Sequence, residues 1–357
     1  MTELSSLPIF FLGTNNYSGY ISRFADCFEG AEGWQVWVLK GGPGSGKSTF
    51  MKKAAARLGE LKHSVFLAPC PADPNSLDAV VSPSRKLMIL DGTAPHPMEP
   101  PLPGISGRII DTGRFWNSAK LESNREKIAA LFRQNSRLHS RAAGYMAAAG
   151  RLLGESERMA LEYTDTKKAE SFGENLALKL IPKASSAGRE QVRFLSGITP
   201  AGVVYYRSTV QKMCHNIIEI WDDFGASAAS VFEGIRKVAL GRGHFVVNCR
   251  CPLHPLDKTD HLILPELGLA FCSVNRYLAA DTAQRRIHFQ RFTDTEALRQ
   301  HKARLSFNRK AAKELIDCAA GILSDAKSVH DVLEQYYVEA MDHKALNDYC
   351  SSLLDEI

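Results

Sequence analysis

The sequence of 357 residues predicts an α/β fold in which a parallel sheet, with helices on both faces, occurs twice in tandem. Two observations support this prediction. Short apolar runs alternate with a helical apolar pattern in the first half, and residues of that half recur at a nearly constant spacing in the second half. The composition agrees, because 45% hydrophobic and 23% charged residues are typical of a globular protein.

The first half begins with a predicted buried strand at 35–40, which reads Gln-Val-Trp-Val-Leu-Lys. A glycine-rich segment follows at 41–48. Apolar residues then recur at positions 50, 51, 54, 55 and 58, the spacing of one helix face. Three further strands are predicted, at 64–68, 86–91 and 108–111. Strands that alternate with helices favour a parallel sheet that is covered on both faces.

Long helical segments are predicted after each sheet, because residues 117–161 are proline-free and rich in Ala, Leu and Arg, and 294–345 are their counterpart. Residues 166–192 are polar and rich in Lys, Ser and Gly, which predicts a linker. The predicted domains are therefore 1–165 and 193–357.

An internal repeat relates the two halves. Cys70-Pro-Ala-Asp-Pro74 recurs as Cys251-Pro-Leu-His-Pro255, at a spacing of 181 residues. The same spacing places Gly44 on Gly225 and holds through most of the intervening elements. We therefore predict two copies of one strand–loop–helix unit.

The second copy lacks the residues that carry chemistry in the first. At the repeat spacing, Lys47 falls on Ala228, Ser48 on Ala229, Asp91 on Ser273, and Gly41-Gly42 on Asp222-Asp223. Because the lysine, the hydroxyl and the strand-end acid are all replaced, we predict that the second phosphate loop is degenerate and inactive.

Residues 41–48 fit the phosphate-loop pattern G-x-x-x-x-G-K-S/T between a predicted strand and a predicted helix. Glycines allow the backbone amides to turn inward around an anion, and the start of the helix adds its positive dipole end. Lys47 is expected to reach the β- and γ-phosphates, and Ser48 to bind Mg²⁺. The predicted nucleotide-binding residues are Gly42, Pro43, Gly44, Ser45, Gly46, Lys47, Ser48 and Thr49.

Asp91 ends an apolar strand, where we expect it to hold Mg²⁺ and to act with Lys47 as a catalytic residue. Gly92 follows it, so no carboxylate at that position can activate water. The candidates for orienting the attacking water are His96 and Asp111, and the candidate for the acid of a kinase is Asp73. The candidates for neutralising charge on the γ-phosphate are Arg85, Arg108, Arg114 and Arg125.

Residues 41–49, the segment Asp-Gly-Thr-Ala-Pro-His at 91–96, and residues 103–104 and 109–116 resemble an uncharacterised bacterial family of P-loop ATPases with duplicated halves. The resemblance implies a cytoplasmic ATP-binding protein in which Lys47, Ser48 and Asp91 have the roles given above. The second half departs from that family, in which both halves look like P-loop units.

Three functions remain open. The first is Mg²⁺-dependent ATP hydrolysis coupled to a conformational change, the second a small-molecule or nucleotide kinase, and the third a nucleotide sensor that does not hydrolyse. Besides the nucleoside triphosphate, a small-molecule or protein partner of unknown identity is expected.

The composition limits which kinds of binding partner and which cellular location the sequence predicts. A net charge of +5 permits a nucleotide, whereas nucleic acid stays open only as a weaker expectation. No apolar run is long enough for a membrane span, and the first residues contain an acid and lack a basic region, so no signal peptide is predicted. With eight cysteines expected as reduced thiols, these features predict a cytoplasmic protein without a membrane partner.

Overall fold

The computed structural model describes residues 4–17, 19–28, 32–95, 97–275 and 285–357, so the candidate His96 lies outside the described residues. The chain forms two compact units. Unit 1 consists of Met1–Gly144, Gly197–Val204 and Cys318–Ile357, and unit 2 of Tyr145–Ser196 and Tyr205–Asp317. Each unit draws on both halves of the sequence, so the units do not follow the predicted boundaries at 165 and 193.

The secondary structure alternates strands and helices along the chain. The strands are β1 (Gly13–Asn16), β2 (Gly19–Ser22), β3 (Gln35–Lys40), β4 (Phe66–Cys70), β5 (Asp73–Ser82), β6 (Leu87–Asp91), β7 (Gly107–Asp111), β8 (Arg189–Arg193), β9 (Ser196–Thr199), β10 (Gly202–Tyr205), β11 (Asn216–Trp221), β12 (Phe245–Cys251), β13 (His254–Leu264), β14 (Leu269–Val274) and β15 (Arg285–His288). The α-helices are α1 (Lys47–Glu60), α2 (Ser118–Glu122), α3 (Arg125–Leu161), α4 (Thr166–Leu180), α5 (Arg207–Met213), α6 (Ala226–Gly241), α7 (Thr295–Leu298), α8 (Lys302–Ala340) and α9 (His343–Leu354).

The sheet of unit 1 is mixed rather than parallel. Its strand order is β4-β5-β6-β3-β7, and β3 runs parallel to both β6 and β7. β5 runs antiparallel to β4 and β6. The predicted all-parallel sheet is wrong at β5, a strand that the proline-rich sequence around it conceals. The turn between β4 and β5 is only two residues long, too short for the crossover that a parallel pair needs.

Helices α1 and α9 pack on one face of this sheet. One hydrophobic cluster joins α1 and α9 to the strands, through Met51 and Leu58 of α1, Leu346 of α9 and Ile89 of β6. On the opposite face, Phe10 packs edge-to-face against Phe66 with ring centroids 5.7 Å apart. The N-terminal chain therefore packs on this face, whereas α1 and α9 pack on the other.

The sheet of unit 2 repeats this arrangement. Its order is β15-β11-β14-β13-β12-β8, so β11 takes the place of β3 and β13 is again antiparallel to both neighbours. Parallel β14 and β15 flank β11, as β6 and β7 flank β3. The added edge strand is β8.

Helix α4 lies within residues 166–192, where the sequence predicts a linker. Its residues Ala169, Leu176 and Ala177 are buried in one hydrophobic cluster with Val231 and Ile235 of α6. The linker prediction is wrong because the polar residues of this segment form the exposed face of an amphipathic helix.

The two glycine-containing loops differ in length. Six residues separate β3 from α1, whereas four separate β11 from α6. Gly46 and Gly225 directly precede the two helices, both in the left-handed region, with φ of 77° and 85°. Counted from these glycines, Lys47 has the same place as Ala226 and Ser48 the same place as Ser227, whereas the constant spacing pairs them with Ala228 and Ala229.

The long helices α3 and α8 contain 37 and 39 residues. Gly144, Gly150 and Gly154, which are possible breaks in the sequence, lie inside α3 without interrupting it. Among the described residues, no helix combines the length and the apolar character needed to cross a bilayer.

Candidate phosphate-binding site

The segment between β3 and α1 ends in a helix start with open amides. The first helical hydrogen bond is donated by the amide of Phe50 to the carbonyl of Gly46. The amides of Lys47, Ser48 and Thr49 come before that bond and have no acceptor within the helix. Such a helix start attracts anions through both its N–H groups and its dipole.

Lys47 is buried beside this helix start. Its Nζ donates to the carbonyls of Gly41 at 2.7 Å and Gly42 at 2.8 Å, and lies 3.5 Å from Oδ2 of Asp91. Only 10% of the Lys47 side chain and 16% of the Asp91 side chain are exposed. An ammonium has three donors, so those of Lys47 are directed at the loop and at the strand-end acid.

Asp91 ends β6 at the position next to Leu39 of β3, so β3 brings the loop and β6 brings the acid to one edge of the sheet. Its Oδ1 accepts hydrogen bonds from Thr93 N at 2.9 Å and Thr93 Oγ1 at 2.6 Å. These bonds fix the carboxylate and leave Oδ2 toward Lys47. Thr93 was missed by sequence reasoning, although Asp-Gly-Thr is a turn sequence in which the Asp side chain caps the residue two positions later.

Ser48 is joined to β5. Its Oγ accepts a hydrogen bond from the backbone N–H of Leu77 at 2.9 Å. A serine hydroxyl has two acceptor lone pairs, so one remains for a cation. The chemistry of Ser48 and Asp91, a hydroxyl and a carboxylate oxygen, fits Mg²⁺, which prefers oxygen ligands.

Hydroxyl groups support the loop from within the unit. Ser45, which is buried, donates to the carbonyl of Gly42 at 2.8 Å. Thr112 Oγ1 donates to the carbonyl of Lys40 at 2.9 Å and lies 3.0 Å from Ser45 Oγ. A Cβ added at Gly41 would lie 2.2 Å from Thr112 Oγ1, so only glycine fits beside this support. Thr112 was not predicted, because nothing in its local sequence connects it with the loop.

The C-terminal helices pack on the outer side of the loop. A Cβ at Gly44 would meet Val338 Cγ2 at 2.6 Å and the backbone carbonyl of Glu334 at 3.1 Å. A Cβ at Gly42 would meet Tyr337 at 3.1 Å and Trp116 at 3.2 Å. These contacts give the loop a fixed outer support, which reduces the ordering that a ligand must impose.

A buried acid, Asp78, lies on β5. Its Oδ2 is 3.4 Å from the hydroxyl of Tyr20. Burial, with a further effect from Asp78, raises the pKa of both Tyr20 and Cys70 well above their ordinary values. Tyr20 and Cys70 are therefore neutral at pH 7, and neither supplies a base there. Asp78 was not predicted, because it lies in the strand that the sequence conceals.

Three of the four predicted arginines lie near strand ends, and Arg125 begins α3. Arg85 and Arg108 lie where β6 and β7 begin, at the sheet edge opposite the loop. Arg108 also pairs with Glu356 at 2.6 Å, and the exposed Arg125 with Glu122 at 2.7 Å. Arg114 follows β7 at the edge of the loop, where its guanidinium lies 4.4 Å from the ring centroid of Tyr349.

The predicted acids Asp73 and Asp111 have other neighbours. Asp73 lies 3.4 Å from Lys327 Nζ. Asp111 ends β7 at the edge of the loop, and its Oδ1 accepts from Gly113 N at 2.8 Å. Lys40, which sequence reasoning did not single out, donates to the carbonyls of Gly92 and Met98 and so holds the segment that follows Asp91.

Comparison of the chain with protein families, with curated proteins and with solved structures gives no match. The resemblance stated from the sequence therefore stays a prediction.

Proposed function

We propose that this chain binds ATP with Mg²⁺ at residues 41–49 and hydrolyses it in the cytoplasm. The observation that carries the proposal is the 3.5 Å approach of Lys47 Nζ to Asp91 Oδ2, beside the open amides of the α1 start. A cation, a carboxylate and a helix N-terminus at the ends of neighbouring parallel strands are the parts that cradle a triphosphate and its metal.

Each residue has a role that follows from its present contacts. Lys47 exchanges its bonds to the carbonyls of Gly41 and Gly42 for bonds to phosphate oxygens, because a charged acceptor binds an ammonium more strongly than a neutral carbonyl does. Ser48 and Asp91 offer oxygens to the metal, and Thr93 keeps the Asp91 carboxylate oriented. Bound Mg²⁺ would neutralise charge on the β- and γ-phosphate oxygens.

The proposal includes a duplicated P-loop-type unit whose second copy is inactive. Two observations support it. The strand order and directions of unit 1 recur in unit 2, and both helices after the central strand begin behind a left-handed glycine. Ala226 stands where unit 1 has Lys47, and Ser273 pairs with Ile220 as Asp91 pairs with Leu39. The second unit thus lacks both the cation and the acid.

A nucleotide sensor without turnover is the second candidate. The observation that favours it is the environment of Asp91, which is followed by Gly92 and has one oxygen committed to Thr93. A fast ATPase needs a group that orients the attacking water. The carboxylate of Asp78 does not fill this role, because its Oδ2 lies 3.4 Å from the hydroxyl of Tyr20.

Calorimetry with ATP and phosphate release by the purified chain, with and without metabolites and nucleic acid, test the proposal and separate its alternatives. Binding of one ATP with basal phosphate release supports the ATPase, whereas binding without turnover supports the sensor. Transfer of labelled phosphate to an added compound identifies a kinase. No binding of ATP in the presence of Mg²⁺ contradicts all three.

A further inference from the structure

The loop between β11 and α6 in unit 2 surrounds the carboxylate of Asp222. Oδ1 accepts from the amides of Phe224 and Gly225, each at 2.9 Å. Oδ2 accepts from the amide of Ser227 at 2.8 Å, its hydroxyl at 2.8 Å and the amide of Ala228 at 2.9 Å. All the donors belong to the loop or to the first turn of α6.

This carboxylate is enclosed. Asp222 is only 3% exposed, although it carries an acidic side chain. Buried carboxylates are stable only when hydrogen bonds compensate the lost water, and here four amides and one hydroxyl do so. Its position, directly after β11, is that of Gly41 after β3. Gly41 has no side chain at this position of the first loop, whereas the carboxylate of Asp222 fills the second loop.

The residues around the loop between β11 and α6 are consistent with a loop that is filled by its own carboxylate, that of Asp222. Ala226 stands at the position of Lys47, so the loop itself offers no cation to a ligand. A Cβ at Gly225 would lie 2.2 Å from Nζ of Lys258, which is paired with Glu157 at 3.1 Å. The lysine that approaches the loop is therefore already neutralised by its own partner within unit 2.

We propose that the second loop is an anion-binding site whose permanent ligand is Asp222. It holds the loop and the start of α6 in the form that a bound oxyanion would hold, without any nucleotide. Removal of the carboxylate leaves a cradle of amides that takes a small tetrahedral oxyanion, such as inorganic phosphate or sulfate. This inference goes beyond ATP binding at residues 41–49 and does not depend on it.

Thermal unfolding of the full chain in a phosphate titration tests the inference, with chloride at matched ionic strength as the reference. In chloride, Asp222→Ala should lower the Tm by about 3 °C or more, because buried donors lose their acceptor. Phosphate should restore part of this loss with saturation. Asp165→Ala is the matched control, since Asp165 caps α4 of unit 2 through one amide at 2.9 Å. The control should lose stability without a saturable phosphate response beyond that of the wild type.

Asp222→Asn keeps the shape of the side chain and covers the case in which Asp222→Ala does not fold. The amide retains one acceptor oxygen and presents an NH₂ group to donors, so it should also lower the Tm. Phosphate calorimetry should show one more site per chain in Asp222→Ala than in the wild type. An unchanged Tm in both variants overturns the inference, and so does a folded Asp222→Ala chain without the extra site. Either result leaves ATP binding at the first loop, measured separately, unaffected.

Discussion

Nζ of Lys47, the first residue of α1, lies 3.5 Å from Oδ2 of Asp91, the last residue of β6. The ammonium also donates to two loop carbonyls, so the loop itself satisfies the charge. A phosphate that enters must compete with these carbonyls, but it finds the cation already at the correct edge of the sheet. ATP binding should therefore depend strongly on Lys47.

Lys47→Ala should abolish ATP binding, with a loss of affinity of about 100-fold or more, because a charge-assisted phosphate contact disappears. Isothermal titration calorimetry measures the affinity. Lys53→Ala, which removes an exposed lysine of the same helix, is the control and should bind ATP like the wild type. An unchanged affinity in Lys47→Ala would remove the basis of the proposed site.

Asp91→Asn should make the protein insensitive to Mg²⁺. The amide keeps an oxygen but loses the charge that holds the metal, so phosphate release should fall by about 100-fold or more. ATP affinity of the variant should match that of the wild type in EDTA, whether or not Mg²⁺ is present. Calorimetry with and without Mg²⁺ measures this. A variant that still gains affinity from Mg²⁺ would show that the metal ligand lies elsewhere.

Local sequence patterns predicted where the loop, its strand and helix, and the strand-end acid lie, but only part of the fold. The loop at 41–48, its flanking strand and helix, and the acid at the end of β6 lie where the sequence places them. Their signals are local, since each is a short pattern of apolar, glycine and charged residues. β5 was missed because the prolines around it hide the strand, and its antiparallel direction depends on pairing with β4 and β6, which no local pattern reports.

Contacts between distant parts of the chain could not be predicted in the same way. Tyr337 and Val338 of α8 contact the loop about 300 residues earlier in the chain, and their helical spacing indicates only an amphipathic helix. The second loop has four residues against six in the first, but α6 has 16 residues against 14 in α1. The two differences cancel, so the repeat spacing is restored after the helix and the sequence does not show the shorter loop. A constant offset therefore misaligned the residues at the second helix start.

Asp222→Ala should leave ATP binding at the first loop nearly unchanged, within about 2-fold, because the hydrogen bonds that Asp222 accepts come from its own loop and the start of α6. The wild type should bind one ATP per chain, since the second loop is filled by Asp222 and lacks a lysine. Calorimetric stoichiometry measures both. Two ATP sites of similar affinity in the wild type would contradict an inactive second loop.

Acidification should stabilise the wild type relative to Asp260→Asn. Burial raises the pKa of Asp260 to about 6, against the opposing effect of nearby Lys258. Because the folded-state pKa exceeds that of the unfolded chain, this acid contributes stability at low pH that is lost as the pH rises through about 6. The wild type should therefore gain up to about 2 kcal/mol over the variant between pH 7.5 and pH 5, by the usual energy of a pKa shift. Urea unfolding of both proteins at the two pH values measures the difference, and a constant difference would show that Asp260 does not titrate there.

Gly44→Ala should destabilise unit 1 and weaken ATP binding together. Gly44 has a φ of 66°, and an added Cβ would meet Val338 at 2.6 Å and the Glu334 carbonyl at 3.1 Å. Left-handed strain and crowding against backbone should together cost about 2–3 kcal/mol of unfolding free energy. Gly104→Ala is the matched control, because Gly104 has a φ of 79° with no atom within 4 Å of the added Cβ.

The control variant isolates the strain, which should cost about 1 kcal/mol without a change in ATP affinity. Denaturant unfolding and calorimetry of the two variants separate the contributions. If Gly44→Ala were no worse than Gly104→Ala in either measurement, α8 would not support the loop, because the crowding against Glu334 would be relieved by movement of the helix. A larger loss in both measurements means that the end of α8 holds the loop in its binding form.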